Sequence, residues 1–263
     1  MPRVFIPPDA MQGQTILIKE TGSVHHLVRV LRLRVGDRLE CCDGTGRVYQ
    51  GTVVQVTDRE LRVAVEQSFN EPPSRPRVTL AQALIKPERF EWILEKSTEL
   101  GVARLIPMMT SRTTIRLDAG AAGPRLTRWR RIIEAASAQC GRSTLPTLDA
   151  PQPFEQIVKE IQGASAVLPT LAEERVPLER HLPEIATASE AFLFIGPEGD
   201  FSPAELRTAS QFGIRTASLG ASTLRSETAA LAALVLIQQA SGRFFARQPS
   251  RVADSKTSRI VNG

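Results

Sequence analysis

FIGPEGDFSPAEL, residues 194–206, decides how the rest of the chain reads. An apolar strand runs into Gly-Pro-Glu-Gly-Asp and then into the start of a helix. Ser202-Pro203-Ala204-Glu205 spells a capping box with proline at the first helical position. Leu206, Ala209 and Phe212 follow at helical spacing, and Gly213 ends the segment. Gly196 and Gly199 fall where the chain leaves the strand. Glycines there permit unusual backbone angles and let a ligand approach the peptide groups. The turn reads either as plain punctuation or as backbone kept bare for a ligand, at the strand end where α/β sheets bind one.

Spacing tests the phosphate option. GPEGD is not GxGxxG, and GxxxxGK[ST] occurs nowhere in the chain. Glu198 and Asp200 would also repel phosphate, which disfavours nucleoside triphosphates and dinucleotides. A second glycine turn follows in SLGASTLRSETAALAALVLIQQ, 218–239. Gly220 closes a strand, and Thr223 or Ser226 is placed to cap the next helix. Its run from Ala229 to Ile237 has no polar face, so it is buried all round or partly in a subunit interface. Arg225 and Glu227 lie between strand and helix, either as a surface pair or as site residues; Glu227 also suits the helix dipole.

The surrounding segments supply the class. RVTLAQALI reads as a buried strand, followed by a helix from Pro87 to Leu100 with Gly101 at its left-handed end. LTRWRRIIEAASAQC places Trp129, Ile132, Ile133 and Ala136 on one helical face. SAVLPTL, EAFLFIG and RTASLG are further short strands, so residues 77–246 form an α/β domain with a mainly parallel sheet. Residues 1–70 read as small β structure, with a helix or turn over Ser23–Leu33 and a hairpin signal at Asp43-Gly44. NEPPSRP carries three prolines in seven residues, a linker placed at 71–76. The polar stretch 247–263 reads as a frayed tail.

Composition bounds the rest. Of the 263 residues 42% are hydrophobic and 23% charged, as in a folded soluble protein. Three cysteines are too few for a disulfide framework or a zinc site, and no apolar run spans a membrane, so a metal-free cytoplasmic protein is expected. The net charge of +5 rests on 28 Arg against 5 Lys. Arginine's planar fork suits phosphate and base edges, although base composition of a genome can produce the same bias.

The two glycine turns together, IGPEGDFSPAEL and LGASTLRSETAAL, resemble the RsmE family, SPOUT-class methyltransferases that act on N3 of a uridine in small-subunit (16S) ribosomal RNA. ALIKPERFEWILEKSTELGV with Ser111-Arg112-Thr113, RWRRIIEAASAQCGR, and HHLVRVLRLRVGD with DGTG at 43–46 extend the resemblance over nearly the whole chain. It implies a trefoil-knotted α/β domain, a PUA-like RNA-binding N-terminal domain and a homodimer. It also implies S-adenosylmethionine held against three turns: Leu168 and Pro169; Ile195, Gly196, Pro197, Glu198 and Gly199; and Leu219, Gly220, Ser222, Leu224 and Arg225. Arg225 and Glu227 become the first choices for catalysis, with Glu198 as a further carboxylate. His26, Arg29, Arg32, Lys86, Arg112 and Arg142 become RNA contacts. Asp200 stands where the family usually has a third glycine, Ser222 and Thr223 replace an Arg-Ile pair, and Ser226 replaces a threonine. Rival readings are a SPOUT methyltransferase with another target, a silent RNA-binding assembly factor, and a nicotinamide-dependent α/β enzyme; the missing dinucleotide fingerprint disfavours the last.

Overall fold

Alternating apolar residues build the N-terminal part. The computed structural model describes residues 1–19, 24–115, 119–161, 163–172 and 175–242. Among them, β1 (Arg3–Phe5), β2 (Met11–Gln12), β3 (Thr15–Ile18), β4 (Arg38–Cys42), β5 (Arg47–Val56) and β6 (Leu61–Asn70) form one sheet in the order β1-β4-β5-β6-β3-β2. The hairpin signal is realised: β4 and β5 pair antiparallel, and Asp43 accepts the Thr45 amide across the turn at 2.8 Å. Ile16, Leu39, Val53 and Leu61 form the core against the short helical stretch that carries Leu27. A π-helix spans His26–Val30 within the expected helical or turn segment. Cys41 and Cys42 are buried, and burial pushes the Cys42 thiol up to about 12, far from a reactive thiolate.

From residue 77 on, strands and helices alternate. β7 (Arg77–Ala83), β8 (Arg104–Met109), β9 (Thr147–Leu148), β10 (Gln152–Pro153), β11 (Ser165–Pro169), β12 (Val176–Pro177), β13 (Glu190–Ile195) and β14 (Arg215–Ser218) make the second sheet. Its order is β10-β8-β7-β13-β11-β14-β12, with β9 also on β8, and each pairing is parallel. A parallel sheet needs cover on both faces. The period-two alternation of β13 shows how: Leu193 and Ile195 face one apolar layer, Phe192 and Phe194 the other. The first layer holds α1 (Pro87–Glu99), α2 (Ala119–Cys140) and α6 (Ser226–Ala240); the second holds α3 (Phe154–Ile157) and α5 (Pro203–Gln211), while α4 (Leu182–Thr187) packs on α6. Phe90 of α1 meets Trp129 of α2 with ring centroids 4.7 Å apart. Gly101 takes the left-handed angle expected after α1, at φ 85°.

Several expectations change. Phe212 is exposed rather than packed with Leu206 and Ala209. α6 buries Ala230, Ala233, Leu234 and Ile237, but Val235 on its other side is exposed in the single chain. Neither Thr223 nor Ser226 caps it; Arg225 is the N-cap residue and no side chain accepts there. The polar tail at 247–263 lies outside the described residues.

The two sheets are joined through buried charge. The Arg3 guanidinium donates to Glu40 at 2.9 Å, to Glu71 at 3.1 Å and to the Gly141 carbonyl at the end of α2. Ser143 donates to the other oxygen of Glu71, and the Leu145 amide to the Gly44 carbonyl at 2.9 Å. The Pro-rich segment between the sheets is therefore tied at its first residue.

Candidate functional site

Three neighbouring strands end on the same edge, and their loops close on one cleft of about 240 Å³. The loop after β11 contributes Pro169, Thr170, Leu171 and Arg175. That after β13 contributes Ile195, Gly196, Pro197, Glu198 and Asp200. The loop from β14 to α6 supplies Ser218 to Ser226, with Ala229 behind them. Ten of the residues expected at a cofactor line this cleft: Pro169, Ile195, Gly196, Pro197, Glu198, Leu219, Gly220, Ser222, Leu224 and Arg225. Leu168 is buried in β11 behind the cleft. Gly199 stands outside it and gives its carbonyl to Arg112 Nη1 at 2.6 Å.

At Gly196 the turn after β13 is bare for a steric reason, not a conformational one. A Cβ on Gly196 would lie 2.9 Å from Cε2 of Phe201, which is buried and packs on Phe154 at 5.6 Å between centroids. The left-handed angle in this turn belongs to Asp200, at φ 60°, and not to either glycine. Because the ring has nowhere to go, Gly196→Ala is expected to lower stability by about 1–3 kcal/mol. Chemical denaturation reads this directly; an unchanged unfolding free energy would show that the ring yields.

Side chains lace the loops together. Gln82 of β7 donates to Ser226 Oγ at 2.9 Å, and Ser226 donates to the Gly196 carbonyl at 2.7 Å. Ser226 thus fixes the second loop to the third instead of capping α6. Asp200 Oδ2 accepts from Thr170 Oγ1 at 2.7 Å and from the Leu171 amide at 2.8 Å, joining the first loop to the second. From the outside, Glu205 completes the capping box with Ser202 and also accepts the Ser111 amide at 2.7 Å and hydroxyl at 3.0 Å. Burial alone would raise the Glu205 carboxyl, but the hydrogen bonds from Ser111 and Ser202 outweigh it and hold the group below the ordinary carboxylate range. Its contribution to stability is therefore full above the unfolded-state value and disappears as pH falls through the lower folded-state value. Glu205→Gln is expected to flatten the acid side of the stability–pH curve, measured by urea unfolding between neutral pH and the carboxylate range.

The charged residues divide more sharply than their spacing implied. Arg225 is exposed and lines the cleft, and among the described residues nothing accepts from its guanidinium. Glu227 does not pair with it. Instead Arg89 of α1 stands between Glu227 and Glu198, 3.6 Å from a carboxylate oxygen of each. Glu227 Oε2 is buried and has no hydrogen-bond partner among the described residues. Glu227 is not among the lining residues of the cleft. Arg89 went unmarked in the sequence because its partners lie more than a hundred positions away.

The expected RNA contacts scatter. Lys86 is exposed at the start of α1, and Arg112 reaches over the second loop. Arg29 pairs with Asp58 at 3.1 Å on the surface of the N-terminal sheet, and Arg32 is exposed at φ 55°. The His26 side chain lies outside the described residues. Arg142 is placed differently from its expected role: Nη1 donates to the Thr98 and Val102 carbonyls at 2.9 and 2.8 Å, clamping the end of α1.

Comparison with known proteins identifies the lineage. The family model described as an RNA methyltransferase domain matches residues 72–238, and one described as an RNA methyltransferase PUA domain matches residues 20–66. A ribosomal RNA small subunit methyltransferase E from Mycobacterium bovis is 34% identical over 215 residues, 80% of each chain. The chain belongs to the ribosomal RNA small subunit methyltransferase E family. A family member from Neisseria gonorrhoeae, solved bound to S-adenosyl methionine, superposes with a TM-score of 0.80 at 26% identity, covering 91% of this chain and 97% of that one. A methyltransferase from Legionella pneumophila, solved with bound cofactor SAM, gives 0.80 at 30% identity over 90% and 97%. Within the methyltransferase E family fold, the cleft of this chain is therefore built from three strand-end loops laced by Gln82, Asp200 and Ser226.

Proposed function

We propose that this chain transfers a methyl group from S-adenosylmethionine to N3 of a specific uridine in 16S ribosomal RNA. The observation that carries the reading is the cleft itself. Three neighbouring strand-end loops present backbone and side chains to one space, and the charged rim holds Glu198 and Asp200 together with Arg175 and Arg225. Acidic groups that would repel a phosphate are compatible with a sulfonium cation. Pro169, the Ile195–Pro197 backbone and the Leu219–Leu224 loop would hold the cofactor. When bound, S-adenosylmethionine supplies an electrophilic methyl group.

The chain's own residues must position the acceptor and manage one proton. Uridine N3 carries that proton between two carbonyl groups. Its removal leaves negative charge on the flanking oxygens, where the Arg225 guanidinium, unengaged among the described residues, can donate. Glu227, next to the cleft though not lining it, is the first candidate for base: its Oε2 is a buried acceptor with no hydrogen-bond partner among the described residues, and Arg89 lies 3.6 Å from its other oxygen. Glu198, sharing Arg89, is the second.

The same reading assigns the remaining parts. Residues 1–70 form the PUA-like RNA-binding domain, 71–76 the linker and 77–246 the SPOUT domain. β14 lies on the far side of β11 from β13 while α6 returns to β13, which supports the knotted path. The outward apolar side of α6, with Val235 exposed, supports a homodimer. Arg29, Arg32, Lys86 and Arg112 remain candidate phosphate contacts, so RNA affinity should fall steeply with salt. The cysteines Cys41, Cys42 and Cys140 are free, in keeping with a reducing cytoplasm. The test is nucleoside mass spectrometry of small-subunit ribosomal RNA after incubation with deuterated cofactor. Label at uridine N3 is expected. Label elsewhere would change the target, and absence of both label and a thermal shift with S-adenosylhomocysteine would favour a silent RNA-binding factor.

A further inference from the structure

We propose that Asp200 is a positioning residue that latches the first cleft loop to the second and thereby sets the affinity for the cofactor, an inference that rests on the cleft being a cofactor site. Its backbone is the starting point. At φ 60° the residue occupies the left-handed region that favours glycine and that, among residues with side chains, aspartate and asparagine enter most readily. Here the side chain also reaches across the cleft. One carboxylate oxygen accepts both the Thr170 hydroxyl and the Leu171 amide.

The consequence is geometric. Thr170 and Leu171 leave β11, Asp200 follows β13, and all three line the cleft. The Asp200 amide in turn donates to Pro197 at 3.0 Å, so the residue is fixed within its own turn before it reaches across. Thr170 carries the restraint further: its hydroxyl accepts the Ala172 amide at 3.2 Å, and its own amide donates to Ala217 of β14 at 3.0 Å. Arg175 donates to the Leu171 and Ala172 carbonyls. Without the carboxylate, the exposed Leu171 and its neighbours lose their tie to the opposite wall of the cleft. A loop held in its bound form before the ligand arrives costs less to order on binding.

Three proteins decide the matter: wild type, Asp200→Gly and Asp200→Asn. Glycine suits the backbone but has no acceptor; asparagine tolerates the same angle and keeps one oxygen able to accept both hydrogen bonds. Affinity for S-adenosylhomocysteine is measured by calorimetry, melting temperature by calorimetric scan, and Leu171 amide exchange by NMR without ligand. The glycine variant is expected to bind about tenfold more weakly, with a melting temperature no lower than wild type and faster Leu171 exchange. The asparagine variant should restore affinity and protection. Wild-type affinity in the glycine variant, or an asparagine variant as weak as glycine, overturns the latch. Failure of wild type itself to bind S-adenosylhomocysteine overturns the cofactor reading instead, and Leu171 exchange, which needs no ligand, still decides whether the latch exists.

Discussion

Arg225→Ala is expected to lower turnover at saturating cofactor and RNA by about 10²–10³-fold, the usual cost of removing one donor from a developing oxyanion. The guanidinium lines the cleft and has no acceptor among the described residues, so its removal strands no buried partner. Stability should change little. The backbone of Arg225 still serves as N-cap of α6, and its carbonyl still accepts the Ala229 amide at 2.8 Å. Lysine at this position keeps the charge but loses the fork, so a partial recovery of rate is expected. Single-turnover measurement separates this from a binding defect. An unchanged rate for the alanine variant would remove Arg225 from the chemistry and leave the carboxylates to be tested next.

The largest effect on stability is expected from Arg3→Ala. Only 4% of the Arg3 side chain and 1% of the Glu40 side chain are exposed, so truncation takes the guanidinium away from a buried carboxylate. Breaking such a pair costs about 3–5 kcal/mol. Glu40 keeps Gln50 as a donor at 2.9 Å, but a neutral amide does not replace a guanidinium. Replacing Arg3 and Glu40 together by methionine and leucine should recover much of the loss, because the cost lies in the stranded charge rather than in the missing contact. Equilibrium urea unfolding reads both variants. A loss below about 1 kcal/mol would show that water reaches Glu40 once the arginine is gone. Arg3 also holds the N-terminal sheet to Gly141, so the double variant should raise KM for RNA while leaving cofactor affinity unchanged.

Local pattern revealed the elements that local chemistry controls. The capping box at Ser202 and Glu205, the hairpin after Cys42 and the left-handed Gly101 follow from a few adjacent residues, and each stands in the structure. The parallel sheet was legible because its central strands are apolar on both faces. The two-residue strands β9, β10 and β12 were not, since only pairing with a neighbour defines them. In the cleft, the lining of the three loops could be anticipated, but the residues that hold the loops together could not. Ser226 resembled a helix cap and is a tie across 30 positions to Gly196. Arg142 resembled a phosphate contact, yet its partners Thr98 and Val102 lie 44 and 40 positions back. Arg89 is an ordinary helix arginine until folding brings Glu198 and Glu227 to it.

The tie from Gln82 to Ser226 spans 144 positions of the chain. A nascent polypeptide that has completed β7 therefore possesses one anchor of the cleft and must wait for most of the remaining residues before the other arrives. Truncation ahead of α6 leaves no partly competent receptor, only a sheet with one face partly uncovered. Occupancy of the cleft by a small molecule then reports that α6 has docked, and it can stabilise only molecules that have already reached that stage.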